Sequence, residues 1–500
     1  MSFCLAASRR LPNGAPGGYN RALRNVIQKA PVPMRWIVRH KLLLILVLCV
    51  VLRLGVYALF PSTFAFDQTG VIHGSTSYDD YARNLLATGV YGRIEPGLAD
   101  SELPPLYSYF LAGVYGVFGR SSLAVAVAHT ALDALTLVAL FHFVRRIFPR
   151  GEAVGLLAAL FFACYPYLVF QNLTVIDTPL YMALLYGFLA LAAVLRERTL
   201  AGRRMWALGL ATGLVLGLGA LVRPNILLIA PLVGVWFWFR LPLRTALVRL
   251  APVAVISALV LVPWVARGYA LYGQFVPIGL NGGPNFYQGN NPYTLPYIRA
   301  GYDVQWVPSP EFTDVAPTLP ARDRAFMAAG MDFLRENPQL IPELLWAKLG
   351  THWSIDIMPL RNPAPGQTPR IDYQGNVIAE TDSSGGLSLG QLPPGDPVSE
   401  YSSSTFDAGR IIHRWYFGPL LLLALAGSLL ALPHWRDVSL IWMVQLITTV
   451  TYVLLHSSTR YRAPTDPLLF AFSAYALMWS WAALQARRGQ RAQTEPSHAA

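Results

Sequence analysis

The sequence predicts an all-α polytopic membrane protein with about ten transmembrane helices and extracytoplasmic loops bearing short amphipathic helices. Three observations predict it. Of 500 residues, 54% are hydrophobic and only 13% are charged, about half the charged share of an ordinary soluble domain. The apolar residues are gathered into runs that approach the roughly 20 needed to cross a hydrocarbon layer. The basic residues fall in short segments between alternate runs, the pattern of the positive-inside rule.

The first 41 residues hold eight Lys or Arg and no acid, so this arm is expected in the cytoplasm. The run Leu42–Phe60 is too long for a cleavable leader and lacks a small-residue cleavage site, so it is expected to remain as the first span. The segment Pro61–Pro104 carries Asp67, Asp79, Asp80, Glu95, Asp100 and Glu102 against Arg83 and Arg93. It belongs to the opposite face. Pro105–Gly119 is apolar and aromatic, but counting it as a span would put Arg145 outside, so it is expected to lie along the interface. Leu123–Val144, Gly155–Phe170, Pro179–Leu195, Ala207–Val222, Asn225–Phe239 and Leu247–Ala266 follow as spans, with basic turns at Arg145/Arg146/Arg150, Arg196/Arg198/Arg203/Arg204 and Arg240/Arg244/Arg249. Residues 267–414 form a second, long extracytoplasmic region. In it Arg322–Trp353 has the spacing of an amphipathic helix pair, and Pro359–Tyr401 reads as coil with no separate globular domain. Phe417–Leu432, Val438–Leu455 and Pro467–Leu484 complete a C-terminal membrane unit (415–485), and a basic tail (486–500) returns to the cytoplasm. The expected location is the plasma or inner membrane, with both termini inside.

The net charge of +12 reports this topology. Nucleic-acid binding would cluster the basic residues on one soluble face, and they do not cluster. Cys4, Cys49 and Cys164 lie in the arm or in spans, so neither a disulfide frame nor a cysteine metal site is supported.

Candidate chemistry concentrates on the outer face. Asp79 and Asp80 fall on a short helix and cannot share one of its faces; such a carboxylate serves as a base, holds a metal, or simply begins a helix. Asp177 opens a span, where Asp-Thr-Pro is also a good helix start. Arg223, Arg267, Arg460 and Arg462 sit on outer turns against the positive-inside bias. An anionic ligand would explain them, since the guanidinium fork fits phosphate oxygens; pairing with carboxylates such as Asp466 would explain them equally. Arg53 and Asp133 lie inside spans, where a mutual salt bridge is the simplest arrangement. Asn281, Asn290 and Asn291, among glycines and aromatic residues, offer neutral donors for a sugar or form an ordered turn.

In order along the chain, YDDYARNLLATGVYG, PPLYSYFLAGVYGVFG, TVIDTPLYMALL, GLATGLVLGLGALVRPNILLIAP, RGYALYGQFVPIGLNGGPNFYQGNNP and RYRAPTDPLL resemble the protein-mannosyltransferase-like branch of the GT-C glycosyltransferases. That branch includes protein O-mannosyltransferases and the lipid A aminoarabinose transferase. The resemblance covers about Lys41 to Leu484. It implies an inverting transferase that takes a sugar from a polyprenyl-phosphate carrier and delivers it to a lipid, glycan or protein acceptor outside the cytoplasm. A first-loop Asp would be the base. The outer arginines, with Tyr461 between two of them, would hold the carrier phosphate. A divalent cation is the one cofactor the paired acids leave open. The family's usual Asp position, eight residues before Ala82, is Gly74 here, so Asp79, Asp80 or Asp67 would take its place. The rival functions are a flippase or transporter for a lipid-linked glycan, and a non-catalytic relative that binds the carrier.

Overall fold

The computed structural model describes residues 40–66, 75–95, 97–312, 316–361, 367–371, 377–381 and 404–494. Each of the ten apolar segments is helical. In chain order the helices used below are α1 (Lys41–Leu59), α2 (Thr76–Thr88), α3 (Leu106–Phe118), α4 (Ser122–Ile147), α5 (Gly151–Ala163), α6 (Thr178–Leu195), α7 (Gly202–Ala220), α8 (Ile229–Trp238), α9 (Leu243–Tyr272), α10 (Gly282–Gly289), α11 (Thr294–Ala300), α12 (Leu319–Glu336), α13 (Ile341–His352), α14 (Ser404–Leu430), α15 (Trp435–Leu454) and α16 (Asp466–Thr494). Among the described residues, six helical stretches are both long and apolar enough to cross a membrane, those of α1, α4, α6, α9, α15 and α16. The chain is therefore a multi-pass membrane protein.

Local chemistry sets where the helices break. The expected run Gly155–Phe170 is not one helix. Pro166 disfavours a helical conformation at the residue before it, and Tyr165 is extended (φ −68°, ψ 107°), so α5 stops and a short helix Pro166–Gln171 follows. Helix α3 has 13 residues and spans about 20 Å at 1.5 Å per residue, too short to cross the hydrocarbon.

The bundle is built from close helix pairs: α4 on α6 and α5, α7 on α9, and α14 on α16, with α16 also against α5. The α7–α9 contact explains the glycine spacing of GLATGLVLGLG. A Cβ on Gly213 would come within 2.6 Å of the Val253 carbonyl oxygen, and one on Gly217 within 2.7 Å of Val260 Cβ. This is the small-residue stripe that lets membrane helices approach.

The 267–414 region contains the expected amphipathic pair as α12 and α13. It also differs from the expectation in having a core and a hairpin. Tyr287, Tyr297, Tyr302, Val304, Val307, Phe326 and Ile371 pack together apart from the membrane core. Strands β1 (Gln367–Ile371) and β2 (Val377–Thr381) pair antiparallel with Ile371 opposite Val377, inside the stretch expected to be coil. The strands alternate too briefly to be recognised by pattern, and it is packing of Ile371 on the tyrosine cluster that gives them a partner.

The expected bridge between Arg53 and Asp133 is present. Arg53 Nε donates to Asp133, and both side chains are fully buried. Asn172 Nδ2 donates to the other carboxylate oxygen at 2.7 Å, and Arg53 Nη1 reaches the carbonyls of Cys49 and Ala163. The charges inside the bundle are thus closed on one another and tie α1, α4 and the end of α5. Asp133→Ala should cost about 3–5 kcal/mol of stability, because the guanidinium is left buried without its counter-ion. The double change Arg53→Met with Asp133→Leu should recover most of it. Thermal unfolding in detergent checks this; a double variant as unstable as the single one would show that the pair is not the reason.

Candidate active site

The start of α2 is fixed by a hydrogen bond from Ser75 N to the Val175 carbonyl at 2.9 Å, two residues before Asp177. The first loop is thereby laid against the turn that opens α6. Two carboxylate sites result.

The first is Asp79. Its side chain is 2% exposed and accepts from Arg120 Nε (2.9 Å) and Nη2 (3.0 Å), Arg83 Nε (2.8 Å) and the Tyr115 hydroxyl (2.7 Å). Burial alone would raise its pKa. The hydrogen bonds from Arg120 and Tyr115 and the charges of Arg120 and Arg83 outweigh burial and hold it below the ordinary value. A carboxylate so gripped is a poor proton acceptor. Asp80, one residue on, points elsewhere: its side chain is 36% exposed and pairs with Arg83. Asp67 lies outside the described residues.

The second site is Asp177. It stands at the N-cap position of α6, but its carboxylate makes no capping bond. Instead Arg223 grips it with both arms, Nε to Oδ2 and Nη2 to Oδ1, each at 2.6 Å, while Nη2 also reaches Thr178 Oγ1 at 2.8 Å. Arg223 lies over the Tyr181 ring at 5.1 Å. Tyr78 from α2 lies in the field of Asp177, Arg223, Arg460 and Tyr461, and burial pushes its hydroxyl pKa up. Tyr461 stacks on Tyr452 (4.7 Å between centroids) and its hydroxyl pairs with His456 Nε2 at 2.9 Å. The site is therefore an ion pair walled by tyrosines from the first loop, α15 and the 459–462 turn.

The four exceptional arginines separate here. Arg223 is spent on Asp177. Arg267 donates to the carbonyls of Asp100 (2.9 Å) and Tyr91 (2.8 Å) and to Ser101 Oγ (3.0 Å), with its guanidinium 4.5 Å from the Trp264 ring centre, so it pins the first loop to the end of α9. Arg462 is fully buried, donates to Asp466 Oδ1 (3.1 Å) and to the carbonyls of His352 and Ser354, and ties α13 to α16. Arg460 alone of the four makes no hydrogen bond or ion pair to a described residue. It is half-buried, its Nε is buried without a partner, and it lies 5.9 Å from the Tyr461 ring centre.

Two of the three asparagines are bonded into the surrounding backbone. Asn290 Nδ2 donates to the carbonyls of Phe286 and Leu454, and its oxygen accepts from Lys348 Nζ at 3.0 Å. Asn291 holds the Tyr287 carbonyl at 2.7 Å. Asn281 is the N-cap residue of α10 without a side-chain capping bond. Lys348, reached by no sequence argument, is 1% exposed and binds only neutral oxygens; burial brings its pKa down to about 8. Arg120 was equally invisible in the sequence, 41 positions from its partner. Tyr78 had a signal, as the first residue of Tyr-x-x-x-Ala.

Residues 102–266 match a family model described as dolichyl-phosphate-mannose-protein mannosyltransferase. The archaeal oligosaccharyltransferase AglB from Archaeoglobus fulgidus, solved with an inhibitory peptide and a dolichol-phosphate, superposes over 93% of this chain and 53% of its own at 16% identity, with a TM-score of 0.53. The Archaeoglobus fulgidus oligosaccharyltransferase tethered to an acceptor peptide with an NVT sequon matches over 91% and 51% at 14% identity, with a TM-score of 0.54. The same enzyme with Zn and sulfate matches over 89% and 50% at 15% identity, with a TM-score of 0.50. The chain has the GT-C fold. It spans about half the length of these archaeal chains. None of the curated proteins compared with it matches. The part of the chain that the family model matches contains Arg120, Asp177 and Arg223; Arg460 and Tyr461 lie beyond it.

The depressed pKa of Asp79 gives a signed expectation. Its stabilising contribution is present above the unfolded value, about 3.9, and is lost as pH falls through the lower folded value. Asp79→Asn should unfold at a lower temperature than wild type at neutral pH, with the gap narrowing below about pH 4. Equal melting temperatures at pH 7 would show that the Arg120 grip contributes nothing.

Proposed function

We propose that the chain transfers a sugar, with inversion, from a polyprenyl-phosphate donor to an acceptor hydroxyl at the Asp177 end of the bundle, on the extracytoplasmic face. The observation that carries this is Arg460, a half-buried guanidinium with no hydrogen bond or ion pair among the described residues, lying in the field of the Asp177–Arg223 pair. Such a group fits a phosphate oxygen that gains charge as the carrier leaves. The dolichyl-phosphate-mannose family match and the dolichol-phosphate in the archaeal relative support the same class of donor.

In this mechanism the acceptor oxygen forms a bond to the anomeric carbon as the bond from that carbon to the carrier phosphate breaks. Arg460 stabilises the departing phosphate, with Asp177 holding Arg223 in place behind it. The faces of Tyr78 and Tyr461 flank the sugar. The base that takes the acceptor proton is a first-loop carboxylate. Asp79 and Asp177 are consumed by arginines, and we assign the role to Asp67. Phe66, next to it in sequence, packs on Tyr115 and under Arg120, within the Asp79 grip. Among the described residues no three acidic, histidine or cysteine side chains gather as a cation site, and no step is assigned to a metal.

Reconstituted protein given a labelled polyprenyl-phosphate sugar tests this. Arg460→Ala should lower kcat/KM by about 10²–10³-fold while leaving the melting temperature unchanged, since it removes no partnered group. Asp67→Asn should lower kcat by about 10²–10⁴-fold, and Asp80→Asn far less. Full transfer by the Arg460 variant would sink the phosphate assignment, and movement of the lipid-linked sugar across liposomes without covalent change would favour a transporter.

A further inference from the structure

A cleft at the other end of the bundle has no part in the proposed transfer. It is an open cleft with a cavity volume of about 230 Å³, lined by Arg146, Arg196, Arg198, Arg240, Glu197 and Asp437, with Trp236 as a wall. Helix α6 runs from Asp177 to this cleft. Its 18 residues cover about 27 Å at 1.5 Å per residue, close to the thickness of the hydrocarbon layer. The cleft therefore stands at the level of lipid headgroups, on the face away from Asp177.

Charge in the cleft is unbalanced. Four guanidinium groups face two carboxylates. Asp437 takes Arg196 Nη1 at 3.0 Å and Arg240 Nε at 2.9 Å, and Glu197 takes Arg146 Nε at 3.3 Å. Arg196 is locked further by its bonds to the carbonyls of Trp236 (3.0 Å) and Arg436 (2.6 Å) and by the Trp236 face at 3.9 Å. Arg198 Nε and Nη2 are held by the Arg240 carbonyl at 3.3 and 3.2 Å. These bonds leave Arg146 Nη2, Arg198 Nη1 and Arg240 Nη1 with no partner among the described residues. The result is a rigid frame with about two positive charges over and three free donors at its mouth.

The surroundings say what kind of anion fits. Trp206, Trp238 and Trp435 are 49%, 61% and 42% exposed at this end of the bundle, the placement of an interfacial aromatic belt. We propose that the cleft binds the phosphate-bearing headgroup of an anionic membrane lipid, with its acyl chains leaving past this tryptophan rim. Basic pockets between membrane helices are suited to such headgroups. The proposal does not depend on the transferase assignment.

The test is thermal unfolding of the full chain in nanodiscs of phosphatidylcholine, with and without phosphatidylglycerol. Wild type should gain about 2–4 °C in Tm from the anionic lipid. The Arg146→Gln/Arg198→Gln variant should keep its Tm in pure phosphatidylcholine and lose the gain, and Arg198→Lys should retain part of it. A gain undiminished in the double variant, or none in wild type, overturns the proposal. So does an equal gain from inorganic phosphate in phosphatidylcholine discs, which would identify a soluble anion as the ligand. If the double variant unfolds early in phosphatidylcholine, the comparison of Arg198→Gln with Arg198→Lys decides, because Arg198 carries no ion pair to a described residue.

Discussion

The bidentate pair between Asp177 and Arg223 is the constraint on which the rest of the site depends. It joins the residue just before α6 to Arg223, three positions past the end of α7, and both partners are buried. A guanidinium taken out of water without a counter-ion is expensive, whereas one held by two short charge-assisted bonds is tolerated. Because Arg223 claims the carboxylate, Asp177 cannot cap its own helix, and the N-terminus of α6 is left to Thr178 and Pro179. The same pairing fixes where Tyr78, Tyr181 and Tyr452 can pack. A single demand for neutralisation thus sets how the tyrosines gather around the pair.

Most of the membrane architecture was legible in the sequence because it depends on local composition. Runs such as Leu42–Phe60 and Leu123–Val144 must be helical to close their own backbone hydrogen bonds in lipid. The turns between them carry the charges that the interior rejects. The amphipathic pair α12 and α13 was legible for a similar reason, since its period of apolar residues is repeated over several turns. The hairpin Gln367–Thr381 was not, because two five-residue strands carry too few alternations to stand out.

The site was legible only as a set of candidates. Sequence placed Asp79, Asp177 and four arginines on one face, but assigning them requires knowing who pairs with whom. Asp79 is occupied by Arg120, and Arg462 by Asp466, and both outcomes arise from contacts made across helices. Asn290 and Asn291 have the composition of a sugar site but serve a knot between α10, α13 and the end of α15, where Lys348 binds neutral oxygens. A Cβ on Gly289 would lie 1.6 Å from the Leu455 carbonyl oxygen. The glycine and asparagines there answer a need for close backbone approach, which no composition argument distinguishes from ligand binding.

Arg460 is the exception that gives this arrangement its direction. Arg223 and Arg462 are each held by a carboxylate and Arg267 by three neutral oxygens, so the protein can partner an arginine in this region when it needs to. At Arg460 the described residues supply an aromatic face and the residual field of an Asp177 already shared with Arg223. Two unit charges 4 Å apart interact by about 4 kcal/mol at the effective dielectric of a protein surface. An incoming phosphate would recover that attraction, and more as its charge grows on leaving. In the proposed transfer, the partner that Arg460 lacks among the described residues is the phosphate of the carrier.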